Sequence, residues 1–132
     1  MNLKRLAASI LFAFITGTVI DILLNAIILR SAFESAASFW RPAEELNQLV
    51  LFGWLSVLLT MICFGCLFAR AGLRGIHQGL EFGLWLALAS VFGVAGIATL
   101  VPWPTELLFG MAFQQAVSNL VLGISLGWLY QP

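Results

Sequence analysis

An all-α integral membrane bundle of four helices, arranged as two hairpins, is the fold this sequence predicts, and three observations predict it. Apolar residues make up 61% of the 132 and charged residues only 9%, against about 25% charged in a typical soluble domain. The apolar residues gather in four runs, about 6–29, 49–68, 82–100 and 107–129, each close to the ~20 residues that cross a bilayer as helix. All six Lys and Arg lie outside those runs. A chain this short has too little interior to hide so much apolar surface, so lipid is the expected solvent for most of it. The whole chain, 1–132, reads as one transmembrane domain. Zero net charge and the lack of a basic run exclude nucleic acid as a partner. No long polar segment is left over to form a soluble catalytic domain.

The first run begins after Lys4-Arg5, as a secretory signal peptide does. It continues well beyond the usual apolar core of such a signal, and no small-x-small cleavage site closes it, so retention as the first membrane helix is expected. At 1.5 Å per residue, residues 6–29 give about 36 Å of helix, enough to span with some tilt. Asp21 and Asn25 interrupt the run. A carboxylate at that depth costs on the order of 2.5–3.5 kcal/mol if it meets lipid, so Asp21 is expected to face protein or water. Steps of four place Ala13, Gly17, Asp21 and Asn25 on one ridge, small in its first half and polar in its second.

Residues 31–48 form the longest segment that does not span. Phe33, Ala36, Ala37 and Trp40 recur at helical spacing, which predicts a short interfacial helix between spans one and two. Trp40-Arg41-Pro42 reads as a membrane-surface anchor followed by a helix breaker. In the second run Cys63 and Cys66 have C-x-x-C spacing. They lie inside an apolar span with no further Cys or paired His, so they are read as small packing residues and not as a redox or metal centre. No cofactor is predicted.

Residues 70–78 make a basic turn with the single histidine, and His77 and Glu81, four apart, can pair at the start of the next helix. Gly75, Gly79, Gly83 and Ala87 repeat every fourth residue, continued by Val91, Ala95 and Thr99. Such a ridge lets another helix backbone approach closely. Pro102-Trp103-Pro104 is a tight connection with an interfacial tryptophan, and Pro104 suits the first turn of the fourth helix. That helix carries Gln114 and Ser118, and along one ridge Gln115, Asn119, Gly123 and Gly127.

Lys4, Arg5, Arg70 and Arg74 fall on one side of the predicted topology, with only Arg30 and Arg41 on the other. This bias places both termini in the cytoplasm. Asp21 and Gln115 then each lie about 5 Å outward of their helix centres. If helices one and four touch, Ala13 and Gly17 would meet Gly123 and Gly127, and Asp21 and Asn25 would meet Gln115 and Asn119. These four polar residues are the candidate site. They form either a hydrogen-bonded clamp or a polar cavity in which Asp21 binds a cation or carries a proton.

The pattern Asp21-Ile-Leu-Leu-Asn25-Ala-Ile-Ile-Leu-Arg30, with Glu34-Ser35 and Phe39-Trp40-Arg41-Pro42, resembles a functionally uncharacterised family of small bacterial membrane proteins. The likeness continues through Gly79-Leu-Glu81-Phe-Gly83-Leu, Pro102-Trp103-Pro104 and the Gly-x-x-x-Gly before Tyr130. It implies a four-helix fold in the bacterial inner membrane and supplies no activity or catalytic residues. The residues themselves hold no nucleophile–base pair, metal cluster or phosphate loop, so an enzyme is not expected. The expected role is that of a structural or accessory membrane protein, packing into a homo-oligomer or a larger complex among lipids. The alternative is a binder or carrier of a small solute, ion or proton at the polar face around Asp21.

Overall fold

A computed structural model describes residues 2–130, and no strand occurs among them. The helices are α1 (Leu3–Ile27), α2 (Arg30–Ser35), α3 (Ala43–Arg70), α4 (Gly75–Ala98) and α5 (Thr105–Leu129), with a 3-10 turn at Ala37–Phe39. All but α2 are long and apolar enough to cross a membrane. All four begin before their apolar runs, α3 and α4 by the most. α3 starts at Ala43 and α4 at Gly75, because a polar helical turn needs only internal hydrogen bonds and good helix formers, not lipid. The connector expected over residues 31–48 is correspondingly shorter.

Several helix ends have an identifiable cause. The Asn2 side chain accepts a hydrogen bond from the Arg5 N–H (3.2 Å) and caps α1. Pro42 and Pro104 occupy the N-cap positions of α3 and α5, one residue earlier than the first-turn place expected for Pro104. Glu44, Glu45 and Glu106 follow in the first turns, where their charge complements the helix dipole. α3 ends in a Schellman motif: Gly72 N–H donates to Ala69 O (3.3 Å) and Leu73 N–H to Phe68 O (3.4 Å). Gly72 takes φ +71°, the left-handed conformation that this motif needs and that glycine adopts without cost. Gln78 Oε1 then accepts from the Arg74 N–H at 2.6 Å and closes the start of α4. His77 and Glu81 are both exposed and make no ion pair with each other.

Neighbouring long helices run antiparallel. Phe12 of α1 meets Trp128 of α5 with ring centroids 5.9 Å apart, and Gly17 of α1 faces Met61 of α3. The core lies toward the end that carries both termini, with Ile10 and Ala13, Met61 and Phe68, and Leu122 and Leu126 buried together. Phe68 sits edge-on to Phe82 (5.4 Å) and to Tyr130 (6.3 Å), tying α3, α4 and the end of α5. At the opposite end, Trp40 stacks on Phe33 at 5.4 Å and lies 6.5 Å from Trp103.

The closest approach is between α4 and α5. A Cβ added to Gly79 would strike the Gly123 carbonyl and fall 2.8 Å from the Gly127 Cα. One added to Gly123 would meet the Gly79 carbonyl and lie 2.7 Å from the Gly83 Cα. Gly127 faces Gly75 and Gly79 in the same way, and Ala87 is buried farther along the seam. This corrects the pairing expected for helix four. Its glycines face the glycine ridge of α4, whereas Gly17 of α1 takes Met61 of α3. Two glycine ridges permit backbone contact along their whole shared length; Ala13 and Gly17 offer only two small positions.

Gly123→Ala is expected to destabilise the protein by about 1–3 kcal/mol, because the obstacles are backbone atoms that cannot rotate aside. Gly93 has open space around it, so Gly93→Ala should be neutral or stabilising by up to about 1 kcal/mol. Reversible unfolding in detergent micelles measures both, and equal effects would remove the seam as the cause.

Candidate functional site

The polar residues of the long helices meet around one stretch of α5, residues 114–119. Successive helical residues project about 100° apart, so neighbours on this stretch serve different helices. The Ser118 hydroxyl donates to Asp21 Oδ1 of α1 at 2.9 Å, and Gln114, one turn earlier on the same face, is a second hydrogen-bonding neighbour of that carboxylate. Asn119 turns the other way. Its Nδ2 donates to Ser90 Oγ of α4 at 2.8 Å and to Gln115 O at 2.9 Å, with Leu86 O at 3.5 Å. Ser90 Oγ in turn donates to Leu86 O at 2.9 Å.

The four candidate residues therefore separate into two pairs. Asp21 and Asn25 remain together on α1 and line one cleft. Asn119 is buried against α4, where it clamps the seam above the glycines. Gln115 is exposed and borders, with Ser118 and Asn119, a second groove toward Thr60 and Met61 of α3. Asp21 does face helix four, but through Gln114 and Ser118 and not through Gln115 and Asn119. The two pairs are parallel ridges one residue apart, and periodicity alone does not say which of them faces α1.

The cleft at Asp21 is about 230 Å³ in volume and lies between α1, α3 and α5. Phe14, Thr18 and Asn25 of α1, Trp54 of α3 and Gln114 of α5 border it with Asp21. Asn25 Oδ1 is buried and has no hydrogen-bond partner, an uncommon condition for a buried amide oxygen. Among the described residues no Lys, Arg or His pairs with Asp21; Arg30 is engaged with Glu34 at 2.8 Å and Arg41 with Glu45 at 3.2 Å. The Glu34 hydrogen bond and charge raise the Arg30 pKa. Asn25 also borders a wider groove, about 590 Å³, shared with Phe33, Glu34 and Trp40 near the aromatic end.

Trp54 and Thr18 were not singled out by any sequence pattern. Trp54 lies in an evenly apolar run, and Thr18 is one of several small hydroxyl residues in α1. No group of three or more His, Cys, Asp or Glu able to hold a metal ion occurs among the described residues. Cys63 and Cys66 are free thiols one turn apart, exposed and half-buried respectively.

Two polar contacts with different owners make a quantitative prediction. A double-mutant cycle on Asn119 and Ser90 should give a coupling of about 0.6–1.7 kcal/mol, the range of interhelical hydrogen bonds in membrane proteins. A cycle on Asn119 and Asp21 should be additive within about 0.5 kcal/mol. Asp21→Leu should cost about 1–3 kcal/mol by stranding the Ser118 hydroxyl and the Gln114 amide, while Asp21→Asn stays folded. Unfolding free energies in detergent would check all three, and strong Asn119–Asp21 coupling would restore the single four-residue cluster.

No protein-family model, curated protein or solved structure matches the chain.

Proposed function

We infer that this chain is a multi-pass membrane protein with a structural or accessory role, assembling laterally into a homo-oligomer or a larger membrane complex. The observation that carries this reading is the state of α3. From residue 43 to residue 57 every side chain of that helix is exposed, on all its faces. Leu51, Phe52, Trp54 and Leu55 each keep more than half of their surface uncovered, and an added Cβ at Gly53 would meet nothing within 4 Å. Lipid solvates the outward face of a spanning helix. A helix that also leaves its inward face open has lateral packing still to complete, and small and aromatic residues are suited to it. That unfilled side of α3 is what supports the role.

The bacterial inner membrane is proposed from the family resemblance, and cytoplasmic termini from the basic residues. Lys4, Arg5, Arg70 and Arg74 share one end of the helices, and Arg30 and Arg41 the other. Trp40 and Trp103 at the second end fit the opposite interface.

Two experiments test this reading. A photo-crosslinking residue in place of Phe52 should capture protein, either a second copy or a larger partner, in native membranes. The same residue in place of Phe92, an exposed position on α4, should capture lipid. Lipid adducts alone at both positions would leave α3 without a protein neighbour and defeat the accessory role. For orientation, with Cys63 and Cys66 changed to Ser, a cysteine at Thr105 should react with an impermeant maleimide on intact cells. One at Ala71 should react only after permeabilisation; the reverse pattern would invert the topology.

A further inference from the structure

The geometry points to the cleft at Asp21 as a binding site for a small organic cation, an ammonium group carrying apolar substituents. This goes beyond the assembly role and does not depend on it.

Three features converge there. The first is charge: Asp21 has hydrogen-bond donors at Ser118 and Gln114 but no basic partner among the described residues. A carboxylate withdrawn from water needs a counter-charge, and here the protein leaves that place to a ligand. The second is an acceptor without a donor. Asn25 Oδ1 lies one helical turn from Asp21, buried and unpartnered, on the border of the same cleft. A carboxylate and an amide oxygen together accept from an N–H or surround an ammonium head; they offer nothing to an anion. The third is the aromatic wall. Trp54 and Phe14 line the cleft beside these oxygens, and indole is the ring that best attracts a cation to its face.

These features also select the class of cation. Calcium and magnesium take six or more oxygens, and zinc takes three or four Cys, His or carboxylate ligands; this cleft has one carboxylate and neither His nor Cys. A bare alkali ion has no use for an apolar aromatic wall. The cleft, about 230 Å³, falls below the ~300–1,000 Å³ of sites for drug-sized ligands, which fits a single ring or a few alkyl groups on nitrogen. Asn25 joins the cleft to the wider groove that Phe33, Glu34 and Trp40 share. That groove lies at the aromatic end, bordered by the rings of Phe33 and Trp40 and by the Arg30–Glu34 ion pair, whose guanidinium charge Glu34 offsets.

The probe is benzyltrimethylammonium, titrated calorimetrically into the purified full chain in detergent micelles. Neopentylbenzene, the same shape with carbon in place of nitrogen, controls for apolar partition, and sodium chloride controls for bare charge. Saturable binding of the ammonium is expected, weakened about tenfold or more by Asp21→Asn and about threefold or more by Trp54→Leu. Trp54 is exposed, so Trp54→Leu leaves the fold intact and decides the matter alone if Asp21→Asn does not fold. The proposal is overturned if the wild type shows no saturation below about 10 mM. It is equally overturned if the neutral analogue binds as tightly, if sodium reproduces the signal, or if either folded variant keeps wild-type affinity. Loss of lateral partners in the crosslinking experiment would leave this result untouched, so the two ideas fail separately.

Discussion

The contact of the α4 backbone with the α5 backbone sets the positions of the remaining helices. Four glycines in a helix cost on the order of 2–4 kcal/mol relative to alanine, and the chain carries them at Gly79, Gly83, Gly123 and Gly127 where the two seams meet. In lipid the apolar effect does not drive one helix against another, so close van der Waals packing must supply the attraction. Side chains at those positions would hold the axes apart and lift Asn119 away from Ser90, whose hydrogen bond lies directly beyond the glycines. With α4 fixed on one side of α5, Ser118 and Gln114 are left to face α1, and Asp21 finds them there.

α5 is thus a hub with its polar groups divided among three neighbours. Ser118 serves α1, Asn119 serves α4, and Gln115 borders the groove toward α3. The step-of-four ridge through Gln115 and Asn119 is a real feature of the helix surface, and so is its small continuation at Gly123 and Gly127. Its partner is α4. Periodicity locates a face on a helix but does not name what lies against it. The better match was also present in the chain: the Gly75, Gly79, Gly83 ridge pairs small with small over a longer stretch than Ala13 and Gly17 can.

Four long apolar helices and their approximate centres were legible because hydropathy reports lipid compatibility directly. Helix ends were less so. Residues 43–48 and 75–81 continue α3 and α4 outside their apolar runs, since helix formation answers to propensity and caps such as Pro42 and Gln78, whereas hydropathy answers to solvent. Its cost in lipid marked Asp21 as a residue that should face protein, and it is half-buried against Ser118. Trp54 was not marked, because its place on the Asp21 cleft depends on how far α3 leans from α1, and nothing local encodes that angle. The same lean leaves residues 43–57 uncovered.

The hydrogen bond between Asp21 and Ser118 joins residues 97 positions apart. Synthesis runs from the N-terminus at about 5–20 residues per second, so α1 exists for several seconds before α5 is made. During that interval the Asp21 carboxylate has no Ser118, no Gln114 and no finished seam to hold them in place. In a membrane, α1 must therefore wait in a place that tolerates a polar group, such as a hydrated insertion channel, or sit shallow until α5 arrives. The α4–α5 hairpin closes locally over a short connection and can form as soon as it emerges. Assembly would then proceed backwards along these helices: α4 and α5 dock first, and α1 is admitted only once α5 has been made.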